Sequence, residues 1–340
     1  MKAVFYYGKK DIRIEDVPEP ECVPGCVKVG IKWCGICGGD LRAYLVGPDG
    51  NHPAGSILGH EFVGDVLEVA AGVENLKVGD RVILGHRGYD KAKSFSESFL
   101  QLGQERIKAL NLLGHSGAFA KYIVKHESIF VKLDPQLSYE DGVIVEPLEV
   151  GVSGVKKSNL IIGETAFVAG AGPIGLMTFQ AARAAGASRV FISDQFEVRK
   201  QAAKSLGADA VLDFTQCDVS KEVHRLTNGK GADVAFQCAQ PALKDCVAAV
   251  RDGGRVMVMA AHTQPVALDW RYDILYRGVS ITPSLGATFE DIICSMDLLA
   301  SGRVKGENIA TAKIPVDDFV AKGVERLARG EEIKVLVSPG

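Results

Sequence analysis

The chain opens with MKAVFYYGKKDIRIEDV, in which apolar and polar residues alternate as in a strand with one buried face. Up to about residue 150 the texture persists as short β-like runs such as CVKVGIKWCGICG, EFVGDVLEVAAGV and GDRVILG, separated by glycine-bearing turns. From about residue 151 the pattern changes. TAFVAG is followed by IGLMTFQAARAAGA, SRVFISD by EVRKQAAKSLGA, and DVAFQCA by ALKDCVAAV and GRVMVMAA. Short apolar strands alternating with alanine-rich helical segments predict right-handed crossovers and a parallel sheet covered on both faces. The last 55 residues lose this rhythm and predict a helix and strands returning to the first domain. A chain of 340 residues suits two domains better than a single core. We expect one of residues 1–150 completed by 286–340, and a second of residues 151–285.

Composition narrows the partners. Hydrophobic content of 47% and charged content of 24% are those of a globular protein. The 39 basic and 42 acidic residues leave a formal charge of −3 with no basic block, so a nucleic-acid or anionic-membrane partner has no electrostatic support. A small molecule is the expected partner. The apolar stretch near 165–187 is broken by Thr178, Gln180 and Arg183, and reads as strand–turn–helix rather than as a membrane span. The N-terminus lacks the apolar core of a signal peptide, and eight scattered cysteines do not make a disulfide framework. A cytoplasmic location is expected.

One motif points to a dinucleotide. The apolar run 165–169 leads straight into Gly170-Ala171-Gly172-Pro173-Ile174-Gly175 and then a helical pattern. Alone, GxGxxG is weak; between a buried strand and a helix N-terminus it places glycine backbone and the helix dipole against a pyrophosphate. The next apolar run ends in Asp194, 19 residues after Gly175. A carboxylate there takes the ribose hydroxyls of NAD and repels the 2′-phosphate of NADP; the bland alternative is a solvated turn carboxylate. Arg199 either flanks the adenosine or is a surface helix residue. We also count Ala260, Ala261, Ser284 and Leu285 among the cofactor-binding residues.

A second group, Cys37, His60 and Glu61, has the chemistry of a metal site. Cys34-Gly-Ile-Cys37 alone fits a redox pair or half a zinc knuckle, yet no second CxxC exists and no thioredoxin-like helix follows. His60 alone fits a satisfied core histidine.

The motifs CGICGGD (34–40), GHEFVGDV (59–66), VGDRV (78–82), GAFAKYIV (117–124), VEPLEVG (145–151) and VAGAGPIG (168–175) stand in one order along the whole chain. In this the sequence resembles the medium-chain zinc dehydrogenases, nearest the sorbitol, butanediol and threonine dehydrogenase branch. The resemblance implies an α/β fold: a GroES-like, mainly-β catalytic domain, a Rossmann doubly wound parallel-sheet domain, and zinc in the cleft between them. It implies that Cys37 and His60 ligate zinc, that Glu61 is a ligand as in the polyol branch, and that Glu146 ligates directly or through water. The same four residues are then the catalytic set. Cys34 is by this comparison a small buried hydrophobe. Glu146 stands where simple alcohol dehydrogenases have a second cysteine, and a carboxylate, the harder ligand, leaves zinc more electrophilic.

Three departures from the family matter. Residues 85–116 contain no cysteine, so one catalytic zinc and no structural zinc is expected. In that stretch Phe95, Phe99, Leu102, Ile107 and Leu110 suggest a short helical excursion, either lining the substrate cleft or solvated. The Ser or Thr that starts the family's proton relay is replaced by Gly39, and the histidine often found in the same loop by Arg42. Glu146, with Glu61, becomes the expected proton-handling group, and His52 is its local rival. The expected function is hydride transfer between NAD(H) and a secondary alcohol or ketone of a diol, polyol or related compound, by a homodimer or homotetramer. The alternatives are a zinc-dependent reductase of a specialised biosynthetic pathway with atypical protonation, and a non-catalytic dinucleotide-binding relative.

Overall fold

The computed structural model describes residues 1–48, 52–85, 117–261 and 264–340. Two compact units emerge, one of Met1–Glu146 with Thr288–Ile292 and Ala310–Gly340, the other of Pro147–Ala287 with Ile293–Ile309. The first holds strands β1 (Lys2–Gly8), β2 (Asp11–Asp16), β3 (Cys26–Gly35), β4 (Ser56–Ile57), β5 (Glu61–Val69), β6 (Arg81–Leu84), β7 (Tyr122–His126) and β8 (Phe130–Lys132). The second holds β9 (Thr165–Ala169), β10 (Arg189–Ser193), β11 (Ala210–Leu212), β12 (Ala232–Gln237), β13 (Val250–Val258) and β14 (Ser280–Pro283). The chain returns to the first unit as β15 (Ala310–Pro315) and β16 (Lys334–Ser338).

In the first unit a seven-stranded sheet has β3 at its heart, paired antiparallel with β5, β7 and β16. Along β3 the side chains of Val27, Val29 and Ile31 are buried while Lys28 and Lys32 reach outward, the period of a strand with one wet face. Tyr6, Phe62, Phe119, Phe130 and Phe319 fill the core, with Phe119 and Phe319 packed edge to face. β1, β2 and β4 form a separate three-stranded sheet. The helix Tyr139–Lys157 is tied to β5 by a hydrogen bond from the Tyr139 hydroxyl to Asp65 (2.6 Å). The helix carries Glu146.

The second unit is a six-stranded parallel sheet in the order β11-β10-β9-β12-β13-β14. Numbered from β9, that order is 3-2-1-4-5-6, and it reverses between β9 and β12. At such a reversal the following loops splay apart and leave a crevice at the carboxyl ends of the strands. β9 and β12 are buried at every position, as strands covered on both faces are, so that even Thr165, Asp233 and Gln237 lie inside. This unit reaches beyond residues 151–285, since Ile293–Ile309 belongs to it. The segment with Phe95, Phe99, Leu102, Ile107 and Leu110 lies outside the described residues. No helix among the described residues is long and apolar enough to cross a membrane.

Candidate functional site

Antiparallel pairing brings the metal-competent residues together. Gly35, the last residue of β3, stands opposite Glu61, the first residue of β5. Cys37 follows Gly35 by two residues and His60 precedes Glu61 by one, so the end of one strand delivers a thiol where the start of its neighbour delivers an imidazole and a carboxylate. One ligand atom from each of Cys37, His60 and Glu61 lies within 4.8 Å of the others. Glu146 Oε1 is 4.0 Å from His60 Nε2. A soft thiolate, an imidazole and a carboxylate, partly or fully buried at this spacing, fit a zinc ion, and Glu146 stands outside that group of three.

The surrounding structure fixes these groups. Cys37 is the N-cap of the helix Gly38–Val46: its Sγ accepts from the Gly39 amide (3.4 Å), and Asp40 reaches back to accept from the Cys37 amide (2.9 Å). A helix N-terminus favours a thiolate, yet burial and then Glu61 push the Cys37 thiol well up, with Lys334 opposing them. Coordination to a divalent cation is what converts such a thiol to the ligand form. Burial likewise pushes the Glu61 carboxyl up, and Lys334 pulls it back. Lys334 is drawn down by burial but held above its ordinary value by Glu61. Gly35 makes room for all this, because a Cβ there would stand 2.5 Å from Glu61 Oε2 and 2.9 Å from Val143. The first turn of the helix is completed by Asp40. Burial would raise its carboxyl, but His52, His60 and the Cys37 amide outweigh burial and hold it low.

In the second unit, Gly170 takes φ +100° after β9, and a Cβ on Gly175 would lie 1.8 Å from the Gly170 carbonyl oxygen. Only glycine lets the helix start so close beneath the turn. Gly172 caps the helix Pro173–Ala184, Pro173 is its first residue, and the Ile174 carbonyl accepts from Thr178. Asp194 is 4% exposed and holds the glycine turn, accepting from the amides of Ala171 and Phe196 at 2.9 Å each. Arg199 is no free surface residue: its guanidinium is 3.5 Å from Asp194 and sits over the Phe196 ring. The Ala260 amide donates to the Gln237 carbonyl and Ser284 is buried, whereas Ala261 and Leu285 are exposed.

Known proteins share this two-part organisation. Residues 23–135 match the alcohol dehydrogenase GroES-like domain, and residues 173–301 match the zinc-binding dehydrogenase domain. Over its whole length the chain is 36% identical to all of (R,R)-butanediol dehydrogenase of Bacillus subtilis. It belongs to the zinc-dependent medium-chain alcohol dehydrogenase family. Sorbitol dehydrogenase of the same bacterium is 30% identical, with all of this chain and 97% of that protein covered. Among solved structures, 2R,3R-butanediol dehydrogenase from Bacillus subtilis superposes with a TM-score of 0.85 at 34% identity, covering 100% of this chain and 99% of that one. Like other members of the zinc-dependent medium-chain family, the protein is an oxidoreductase that uses zinc and a nicotinamide dinucleotide.

Two residues at this family site escaped the sequence. Lys334, 1% exposed, donates to the Ile36 carbonyl (3.1 Å) and to Glu61 Oε2. Its one sequence signal is a lysine opening the otherwise apolar run KVLV. Asp40, fully buried, was visible only as the last letter of CGICGGD.

Proposed function

We propose that the protein oxidises a secondary alcohol of a diol or polyol with NAD, or runs the reverse reduction. The observation that carries this reading is the convergence of Cys37, His60 and Glu61 within 4.8 Å in a chain aligned end to end with a butanediol dehydrogenase. Cys37 and His60 would hold the zinc, with Glu61 and Glu146 as the carboxylate ligands. The metal supplies a Lewis acid that polarises a carbonyl oxygen, or makes an alcohol more acidic so that hydride can leave its carbon. The first unit carries this chemistry. The second binds the dinucleotide, through the glycine turn at 170–175 and the amides that open the helix Pro173–Ala184.

The chain's own residues must move one proton for each hydride. Lys334 already holds Glu61, and we assign the proton to a carboxylate oxygen of Glu146, whose Oε1 lies 4.0 Å from His60 Nε2. His52 is the second candidate, since it lies beside Gly39 with Asp40 at 3.5 Å. Asp194 supports a preference for NAD, because a fixed carboxylate repels a 2′-phosphate.

Exposure of β14 at the edge of its sheet, with Trp270, Tyr272, Leu275 and Tyr276 exposed just before it in sequence, supports a homodimer or homotetramer joined through that edge. Light scattering that finds a monomer at micromolar concentration sinks this assembly.

The function is tested by screening diols, polyols and their ketones for a change in nicotinamide absorbance with NAD(H) and NADP(H), alongside elemental analysis. Zinc-dependent turnover of a vicinal diol or polyol, with one zinc per chain that Cys37→Ser mostly loses, is the expected result. A protein free of tightly bound zinc, or zinc-loaded and inert across the screen, overturns the reading.

A further inference from the structure

Lys334 and Glu61 are each 1% exposed, and they meet although 273 residues separate them. Their meeting follows from the sheet. β16 lies beside β3 and β3 beside β5: Gly35 pairs with Leu336 on one side and with Glu61 on the other, and Lys334, two residues before Leu336, takes the same face of β16. The Lys334 ammonium binds Glu61 Oε2 and the Ile36 carbonyl, one residue before Cys37. A buried ammonium is costly unless paired, and a buried carboxylate is equally costly. The same carboxylate belongs to the metal-competent group.

We propose that Lys334 is a resident counter-cation of the metal centre: it holds Glu61 in place while the site is metal-free and competes with the metal for that carboxylate once it binds. Charge supports the assignment. In the metal-free site the Lys334 ammonium sits on Glu61 Oε2, the same carboxylate that a divalent cation held by Cys37 and His60 would draw on. Without the lysine, the metal-free site buries the Glu61 carboxylate stripped of the ammonium that holds it. With it, the metal meets a like charge on one of its own ligands. Lys334 therefore trades metal affinity for integrity of the empty site. It is a positioning residue, and the inference rests on the zinc reading above.

The test uses the full chain, stripped of metal with a chelator and then titrated with zinc, for the unaltered protein, Lys334→Met and Lys334→Arg. Thermal midpoints are read with and without zinc, and zinc affinity by competition with a chromophoric chelator. Lys334→Met keeps the stem and removes the charge. It should lower the metal-free midpoint by ~5 °C or more, lower the zinc-saturated midpoint by less than half as much, and bind zinc about tenfold more tightly or better. Lys334→Arg should stay near the unaltered protein in all three measurements. Should metal-free Lys334→Met fail to fold, Lys334→Met with Glu61→Gln decides the matter: removing both charges should restore folding. Equal losses in both metal states, zinc affinity unchanged or weaker in Lys334→Met, or a double variant no better folded than the single one, each overturns the role of Lys334. An unaltered protein that takes up no zinc overturns the metal reading instead.

Discussion

The imidazole of His52 lies against Gly39: a Cβ added to the glycine would stand 3.1 Å from His52 Cε1, 3.3 Å from Nε2 and 3.8 Å from Cys37 Sγ. The space beside the hydroxyl position of the family relay is thus filled from another loop, by a ring that is 8% exposed with Asp40 behind it. Gly39→Ser must displace this ring, so it should lower kcat/KM by roughly three- to tenfold, the scale of a modest overpacking cost. Combining it with His52→Ala reopens the space and should recover most of the loss. Steady-state kinetics of the two single variants and the double variant measure the coupling. Strictly additive losses would mean that the two residues do not share this space.

On the proposed function, Glu146 and His52 are the two candidates for the proton. Glu146→Gln removes the base but keeps the shape, and should slow the chemical step by ~10²-fold, the usual scale for losing a general base. His52→Ala should be mild. Single-turnover rates, measured after zinc content has been checked in each variant, separate the two. A near-neutral Glu146→Gln beside a severe His52→Ala assigns the relay to His52.

Asp194, the residue we propose as the cofactor selector, also holds the turn, because its two oxygens accept from Ala171 and Phe196. Asp194→Ser should therefore narrow the preference for NAD from both sides. Activity with NAD should fall by about tenfold as the turn loosens, and activity with NADP should rise as the repulsion goes. The ratio of kcat/KM for the two cofactors is the measurement. Comparable values for the two cofactors in the unaltered protein would remove Asp194 as the selector.

Stability should also depend on pH through Lys125 of β7, which is 3% exposed. Burial brings its pKa down to about 8, with Cys26 working weakly the other way. In the unfolded chain a lysine titrates near its ordinary value of about 10.4, so the folded state binds fewer protons between the two values. Its contribution is present in full above the unfolded value and is lost as pH falls through about 8. Lys125→Met should then stabilise the protein at pH 7 by roughly 1–3 kcal/mol and confer little advantage near pH 10. Denaturant midpoints of the two proteins at both pH values test this. An advantage of equal size at both would locate the effect in packing rather than charge.

Several features were determined by the sequence alone, because their causes are local. A strand, a glycine turn and a helix carry their own periods and dihedral demands, so β9, the turn at 170–175 and the helix Pro173–Ala184 could be read directly from TAFVAGAGPIGLMTFQAARA. Cys37, His60 and Glu61 could likewise be singled out by residue type and motif order. Other features depend on neighbours remote in the chain. The period of a strand tells which face a side chain takes but not which strand will lie beside it. Lys334 therefore looked like any lysine at a strand start until β16 was placed against β3, and β3 against β5. The crowding of Gly39 by His52, and the hold of Asp194 on the glycine turn, were decided in the same way. They depend on where separate loops and strand ends come to rest, and only the packed tertiary structure settles that.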